Sequence, residues 1–282
     1  MRAMLAMSWI MRVKPMAVNL DDLKLERIRL AKVGPHLIAT LDHAPTKNAL
    51  TDQLMSELNK LIDNTCDDQS IRSLVLRGAN GVFCAGADLK AALQRMDEPV
   101  GDTDPVAAMN RQVGDLYSKL NHYPKAVIAV VEGAAFGGGF GMACCADIVM
   151  VGERALFALS ETTLGLPPAQ IAPYVSARIG VPGTRRLALT GLRVDAAEAL
   201  RIGLADEFHT ADSIESGLQT LLKFISKCAP GANAASKKII LSPAHSIELA
   251  AQTFADCLRD EEGREGVAAF NEKRPASWSE QT

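Results

Sequence analysis

The sequence lacks the features that mark several large functional classes. Lys and Arg number 30 against 33 Asp and Glu, so the net charge of −3 offers no basic footprint for nucleic acid. The six cysteines form no CxxC pair and no Cys/His spacing suited to zinc, so no metal is predicted. Free thiols in that pattern are typical of a reducing, cytoplasmic location. No apolar run approaches the ~18–20 residues that cross a bilayer, so no membrane partner is predicted.

The first 18 residues differ in composition from the rest of the chain. MRAMLAMSWIMRVKPMAV is basic, rich in Met and free of acidic residues. A targeting peptide has a similar composition, but no small-residue cleavage site is evident. We therefore interpret residues 1–18 as an N-terminal tail, because chain termini are usually loose.

Across residues 19–211, short apolar runs alternate with segments of helical periodicity. That alternation predicts an α/β domain with buried parallel strands and crossover helices. The predicted elements are a half-buried strand over Leu25–Val33, its partner HLIATLD, a helix capped by Thr51, and strands at 73–76, 126–131 and 147–151. From about Asp212 onward the pattern is helical alone, which predicts a separate C-terminal helical region over residues 212–282.

Three consecutive glycines stand in residues 134–147, AAFGGGFGMACCAD, between an apolar run and a segment that can begin a helix. They are not a P-loop, because the chain has no Gly-Lys pair, and Met142 breaks the dinucleotide pattern G-x-G-x-x-G. Two interpretations remain open. One is a close crossing of strand and helix. The other is an oxyanion hole formed by unsatisfied N–H groups at a helix N-terminus.

A second glycine-rich turn offers the other donor that an oxyanion hole needs. Residues 78–90, GANGVFCAGADLK, follow the apolar run SLVL and lead into a helical segment. A backbone N–H of this loop would then face the same cleft as the glycines of residues 134–147.

Four segments, in this order and spacing, resemble the crotonase (enoyl-CoA hydratase/isomerase) superfamily over about residues 20–282. They are PTKNAL (45–50), FCAGADLK (83–90), AAFGGGFGMACCADI (134–148) and FALSETTLGLPP (157–168). The resemblance implies a crotonase-like spiral of ββα turns that binds a CoA thioester and carries out catalysis. It also implies that the C-terminal helical region supports homotrimers, usually stacked as hexamers.

The same resemblance implies positions for the site. The two oxyanion-hole N–H groups would be those of Ala87 and Gly138. The CoA path would run along Ala85, Asp88 and Leu89, with Lys47 and Lys90 near the CoA phosphates, although a surface role for both lysines is equally open. CoA would enter only as part of the acyl-CoA substrate, with no separate cofactor.

The sequence offers one carboxylate where many hydratases of this superfamily carry two. The first glutamate position is Gly141, and the second is Glu161. Glu161 would either orient a water for addition, as in a hydratase (a hydro-lyase), or shuttle a proton between carbons, as in an isomerase. For Glu132 and Asp147 we expect capping or surface roles. The acidic loop of residues 97–105 is a candidate source of a second carboxylate in the cleft. A non-catalytic CoA-thioester or RNA-binding relative is disfavoured by the acidic balance and by Glu161.

The continuation SETTLGLPPAQIAPYV (160–175) is similar to that of bacterial methylglutaconyl-CoA hydratases of leucine catabolism. It also resembles their relatives that act on isohexenylglutaconyl-CoA in acyclic terpene breakdown, and that branch likewise lacks the first glutamate. Such substrates carry a branched β-carbon and a distal carboxylate. Candidate partners for the carboxylate are Arg95, Arg111 and Gln170.

Overall fold

The computed structural model describes residues 18–242 and 246–279. Of the predicted tail, residues 1–17 therefore lie outside the described residues. Within the described ranges, no helix is both long enough and apolar enough to cross a membrane.

The described chain alternates strands and helices as far as residue 209 and is helical beyond it. The strands are β1 (Ile28–Val33), β2 (His36–Leu41), β3 (Ser73–Gly78), β4 (Val82–Cys84), β5 (Ala126–Val131), β6 (Ala134–Phe136), β7 (Ile148–Gly152), β8 (Leu156–Ala158), β9 (Arg193–Asp195) and β10 (Glu207–His209). The helices are α1 (Asp52–Thr65), α2 (Leu89–Met96), α3 (Pro105–Asn121), α4 (Gly138–Cys144), α5 (Ala172–Thr190), α6 (Ala196–Arg201), α7 (Ile214–Ser226), α8 (Pro230–Ile240), α9 (Ile247–Arg259) and α10 (Glu261–Glu272). Short 3-10 turns lie at Leu20–Leu23, Ala44–Thr46, Glu161–Leu164 and Ser277–Ser279.

The strands form two sheets, and the chain passes repeatedly from one to the other. The larger sheet has the order β1-β2-β3-β5-β7-β10, and the smaller has the order β4-β6-β8-β9. Pairing is antiparallel between β1 and β2 and between β8 and β9, and parallel elsewhere. Each pair β3-β4, β5-β6 and β7-β8 contributes one strand to each sheet before a helix follows. The chain therefore forms the predicted spiral of ββα turns.

The sequence explains why these segments are strands and where the first helix begins. The run at 126–131 is apolar and rich in valine, and its residues from Val127 to Val131 are at most 1% exposed. Such a run suits a parallel strand buried on both faces. The Thr51 hydroxyl accepts a hydrogen bond from the Leu54 N–H at 3.2 Å, which confirms the predicted cap of α1.

Two predicted strand boundaries are wrong. The first strand begins at Ile28 rather than Leu25, because the backbone N–H groups of Glu26 and Arg27 donate to the buried Glu57 carboxylate at 3.1 and 2.8 Å. Asp147 precedes β7 instead of beginning it, and its carboxylate accepts the Val127 N–H at 2.7 Å.

The predicted C-terminal helical region is present as helices α7 to α10. Helix α7 packs against the larger sheet through Ile214, Leu218 and Leu222. Helices α8 to α10 leave large apolar side chains exposed, among them Ile247, Phe254 and Phe270. The role of this C-terminal region in trimerisation stays a prediction.

Candidate active site

Helix α4 begins at Gly138, the middle residue of the three consecutive glycines, and the first N–H groups of the helix have no partner within it. Gly137 has φ +48° and ψ −114°, a conformation that glycine adopts with little strain. Its N–H donates to the Ala158 carbonyl at 2.9 Å, which ties the start of α4 to the end of β8. The next residue, Gly138, is the first of α4, so its N–H has no partner within the helix.

The second loop brings another backbone donor beside the first. A Cβ on Gly86 would lie 2.8 Å from the Phe136 carbonyl oxygen and 3.5 Å from the Gly138 nitrogen, so the two loops touch through backbone alone. Gly86 has φ +99°, and its carbonyl accepts the Leu50 N–H at 2.8 Å. Over residues 18–242 and 246–279, neither the Ala87 N–H nor the Gly138 N–H donates to a protein acceptor. Two free donors therefore stand on adjoining loops.

Glu161 places its carboxylate against this segment. A Cβ on Gly137 would lie 2.7 Å from Glu161 Oε1. The other oxygen, Oε2, is buried and has no hydrogen-bond partner among the described residues. Burial raises the pKa of Glu161 above its ordinary value, and the residue's own backbone N–H opposes this in part. A desolvated carboxylate with a raised pKa beside two free donors is an arrangement suited to proton transfer.

The first glutamate position, Gly141, leaves little space for a side chain. A Cβ on Gly141 would lie 3.0 Å from Ile171 Cγ2 and 3.1 Å from Tyr117 Cε2. An aromatic ring and a branched aliphatic group therefore occupy the space beside it.

Tyr117 and Leu50 are site residues that the sequence did not point out. The Tyr117 hydroxyl donates to the Gly138 carbonyl at 2.6 Å, and the ring is fully buried. A Cβ on Gly138 would lie 2.7 Å from Leu50 Cδ1. Both residues occupy ordinary apolar positions of the sequence. Of the two, only Leu50 could have been found from the sequence, because it is the last residue of the family-like segment PTKNAL (45–50).

The residues predicted along the CoA path lie around the loop of Ala85–Lys90. The Ala85 N–H is already bonded to the Lys47 carbonyl at 3.1 Å. Asp88 caps α2 by accepting the N–H groups of Lys90 and Ala91 at 3.1 and 3.2 Å. Leu89, Lys90 and Lys47 are exposed. A ligand role for this group stays a prediction.

The three side chains predicted as partners of the substrate's distal carboxylate differ in what they contact. Arg95 pairs with Asp52 at 2.5 Å, and Gln170 donates to Asn110 at 3.0 Å. Arg111 is exposed on α3.

Glu132 and Asp147 make ion pairs away from Glu161. Glu132 pairs with Arg77 at 2.6 Å, and Asp147 pairs with Lys237 at 2.8 Å. Asp147 is exposed, which agrees with the predicted surface role, whereas Glu132 is half-buried.

Two free N–H donors beside one desolvated carboxylate define a site suited to stabilising an oxyanion and moving a proton. The family model "Enoyl-CoA hydratase/isomerase" matches residues 37–281. The chain belongs to the enoyl-CoA hydratase/isomerase family, and its architecture is the crotonase fold.

Similar proteins agree with this assignment along most of the chain. The "Probable enoyl-CoA hydratase 2, mitochondrial" of Arabidopsis thaliana is 32% identical over 261 residues, covering 90% of this chain and 84% of that protein. The crystal structure of an enoyl-CoA hydratase/isomerase from Marinobacter aquaeolei is 39% identical with a TM-score of 0.85, covering 90% and 99% of the two chains. Pseudomonas aeruginosa AtuE is 40% identical with a TM-score of 0.85, covering 90% and 100%.

Proposed function

We propose that the protein is a hydratase that adds water across the α,β double bond of a branched glutaconyl-type enoyl-CoA. The substrate would be 3-methylglutaconyl-CoA in leucine catabolism or isohexenylglutaconyl-CoA in acyclic terpene catabolism. The observation that carries the proposal is the Glu161 carboxylate, which lies against Gly137 with one oxygen buried and unpaired. The relative from Arabidopsis thaliana is named as a probable enoyl-CoA hydratase, which supports the reaction type.

The reaction uses one carboxylate twice. Glu161 accepts a proton from water as the water oxygen bonds to Cβ, and the double-bond electrons move to the thioester oxygen. The N–H groups of Ala87 and Gly138 hold that oxyanion, and one such donor is typically worth ~2.7–4 kcal/mol in the transition state. The protonated Glu161 then gives its proton to Cα. The sum is addition of one water, and at a branched β-carbon the product is a tertiary alcohol.

Apolar groups surround Gly141 at the first glutamate position. Tyr117 and Ile171 present ring and methyl carbons where a second carboxylate would otherwise stand. The same residues leave Glu161 as the acid–base group of the mechanism.

The CoA portion, the assembly and the location complete the proposal. Lys47 and Lys90 are exposed where the resemblance puts the CoA phosphates, with Ala85, Asp88 and Leu89 along the path between. We expect no cofactor besides the CoA of the substrate, a homotrimer or hexamer, and a cytoplasmic location. The free state of all six cysteines is compatible with that location.

An isomerase is the second candidate, and the lone carboxylate favours it too. Glu161 would remove a proton from one carbon and return it to another, with no water added. The relative from Marinobacter aquaeolei is described as an enoyl-CoA hydratase/isomerase, which covers both reactions.

The variant Glu161→Gln tests whether this carboxylate carries the chemistry. We expect kcat to fall by ~10²–10⁴-fold, the range typical of a positioned acid–base group, while acyl-CoA binding is retained. Glu132→Gln is the matched control, because Glu132 flanks the glycine run but pairs with Arg77. Unchanged turnover in Glu161→Gln, or equal losses in both variants, would remove Glu161 from the mechanism.

A further inference from the structure

A glycine interrupts the middle of helix α3 opposite a side-chain amide. Gly114 lies within the 17-residue helix Pro105–Asn121, although glycine is among the poorest helix formers. A Cβ at this position would overlap the Gln170 amide, with its Cδ only 2.8 Å away. The glycine therefore leaves space on α3 for the Gln170 side chain.

Gln170 is paired with a second amide in that space. Its Nε2 donates to Asn110 Oδ1 at 3.0 Å, and both side chains are half-buried. A primary amide carries two N–H donors, so this bond uses one of the four available. In the part of the chain that the structure describes, Asn110 Nδ2 donates to no protein acceptor. The amide pair therefore retains N–H donors for a ligand.

The amide pair belongs to the same wall as the candidate active site. Asn110, Gly114 and Tyr117 are spaced four and three residues apart and share one face of α3. At one end of this face, the Tyr117 hydroxyl bonds to the Gly138 carbonyl. Ile171, which follows Gln170 in the chain, lies with Tyr117 against the Gly141 position. Along the helix axis, Asn110 stands about 10 Å from Tyr117, and Gly114, beside which the Gln170 amide lies, stands about 4.5 Å from it.

We infer that Asn110 and Gln170 bind the distal carboxylate of a dicarboxylic acyl group; this rests on the proposed function. In a glutaconyl chain the carboxyl carbon is four bonds from the thioester carbon, roughly 5 Å when extended. A carboxylate C–O bond and a hydrogen bond of about 3 Å extend that reach close to the spacing between Tyr117 and Asn110 along α3, and past the level of Gly114, where the Gln170 amide lies.

The arginines nearby are less suited to this role. The Arg95 guanidinium is bonded to Asp52 at 2.5 Å and contacts Met109 Sδ at 3.6 Å, so its charge is already paired. Arg111 is exposed and follows Asn110 by one residue, which turns it about 100° around the helix from the face that Asn110 shares with Tyr117.

The test compares two thioesters that differ only by the distal carboxylate, 3-methylglutaconyl-CoA and 3-methylcrotonyl-CoA. For Gln170→Leu and Asn110→Leu, we expect the ratio of kcat/KM values, diacid over monoacid, to fall about 10- to 100-fold, the loss of a charge-assisted hydrogen bond. Gly114→Ala should lower the ratio in the same direction, because its Cβ displaces the Gln170 amide. Gln112→Leu is the matched control, since Gln112 lines a separate depression with Asn59 and Lys119.

A binding measurement separates this inference from the proposed function. Saturated 3-methylglutaryl-CoA and isovaleryl-CoA cannot be hydrated, and their Kd values report recognition alone. Weaker binding of the diacid in the Gln170 and Asn110 variants, with the Gln112 variant like wild type, supports the inference even if wild type hydrates neither enoyl thioester. Equal diacid affinity in wild type and both amide variants overturns it, even if hydration of 3-methylglutaconyl-CoA establishes the proposed function.

Discussion

The carboxylate of Glu161 lies directly against the backbone of Gly137, where a Cβ would stand 2.7 Å from Oε1. Gly137 directly precedes Gly138, the first residue of α4, so the Glu161 carboxylate lies beside the residue next to the candidate oxyanion donor, the Gly138 N–H. Position 137 requires glycine twice, once for its positive φ and once for the space that Glu161 occupies.

Gly137→Ala should damage catalysis more than stability. The added Cβ displaces the Glu161 carboxylate, and a shift of about 1 Å at a catalytic group costs roughly 10²-fold in rate. Gly34→Ala is the matched control, because Gly34 also has positive φ (+56°) but nothing within 4 Å of a Cβ. Gly34→Ala should lose ~1–2 kcal/mol of unfolding free energy because of its positive φ. Gly137→Ala should lose more, because its ψ of −114° lies outside the left-handed helical region. Similar kcat values in the two variants would contradict the account.

Tyr117→Phe should lower kcat while leaving KM near its wild-type value. The change keeps the ring but removes the hydrogen bond to the Gly138 carbonyl, whose net worth of ~0.5–1.5 kcal/mol corresponds to roughly 2- to 13-fold. Tyr123→Phe is the control, since the buried Tyr123 hydroxyl donates to Thr65 Oγ1 at 2.8 Å. We expect that control to lose similar stability and to keep its kcat. A normal kcat in Tyr117→Phe would show that this hydroxyl does not support the oxyanion segment.

The stability of the fold should decline in mild acid because of His36. Its ring contacts Ser73 Oγ at 2.7 Å and Ser226 Oγ at 2.9 Å, which joins the larger sheet to α7. Burial, with a smaller effect from Arg72, lowers the pKa of His36 from 6.5 to about 4. The neutral ring is favoured in the folded state, so its contribution is complete above pH 6.5 and is lost as the pH falls toward 4.

Denaturant unfolding between pH 7 and pH 4 measures this effect. A shift of that size amounts to ~3 kcal/mol across the window. His36→Gln should flatten the pH dependence by about that amount, whereas His122→Gln, on the surface, should follow wild type. Parallel curves for wild type and His36→Gln would refute the assignment.

The apolar surface of α9 and α10 should be buried by further copies of the chain. Phe254 and Phe270 are 70% and 83% exposed, an arrangement that marks an interaction surface more often than a solvated one. Light scattering should give three or six chains per particle, and Phe270→Asp should reduce that number. Phe208→Asp, an exposed aromatic on β10, should leave it unchanged. A monomeric wild type would contradict the prediction.

Periodicity and local motifs predicted most of the architecture. The apolar runs became β3, β5 and β7, Thr51 capped α1, and the helical pattern after residue 212 became α7 to α10. These features depend on neighbours in the chain, so sequence alone contains them. The start of β1 was misplaced because a residue about thirty positions away, Glu57, takes the backbone N–H groups of Glu26 and Arg27.

Only the site residues that belong to a recognisable sequence motif could be predicted. Glycines at 86 and 137–139 mark close backbone approach, and Glu161 stood out as the remaining carboxylate. Tyr117 reaches Gly138 from α3 and Gln170 fills the space at Gly114, contacts that arise only when distant segments of the chain pack. A buried tyrosine and a paired amide carry no sign of that packing in the sequence.

The proposed hydration is tested most directly by the reaction of the purified protein with 3-methylglutaconyl-CoA, and separately with isohexenylglutaconyl-CoA, in ¹⁸O-labelled water. Loss of the conjugated thioester absorbance is followed while the product is identified by mass. We predict a product heavier by one labelled water, with formation slowed by Glu161→Gln. A product of unchanged mass with a shifted double bond, or no reaction with either glutaconyl thioester, would contradict it.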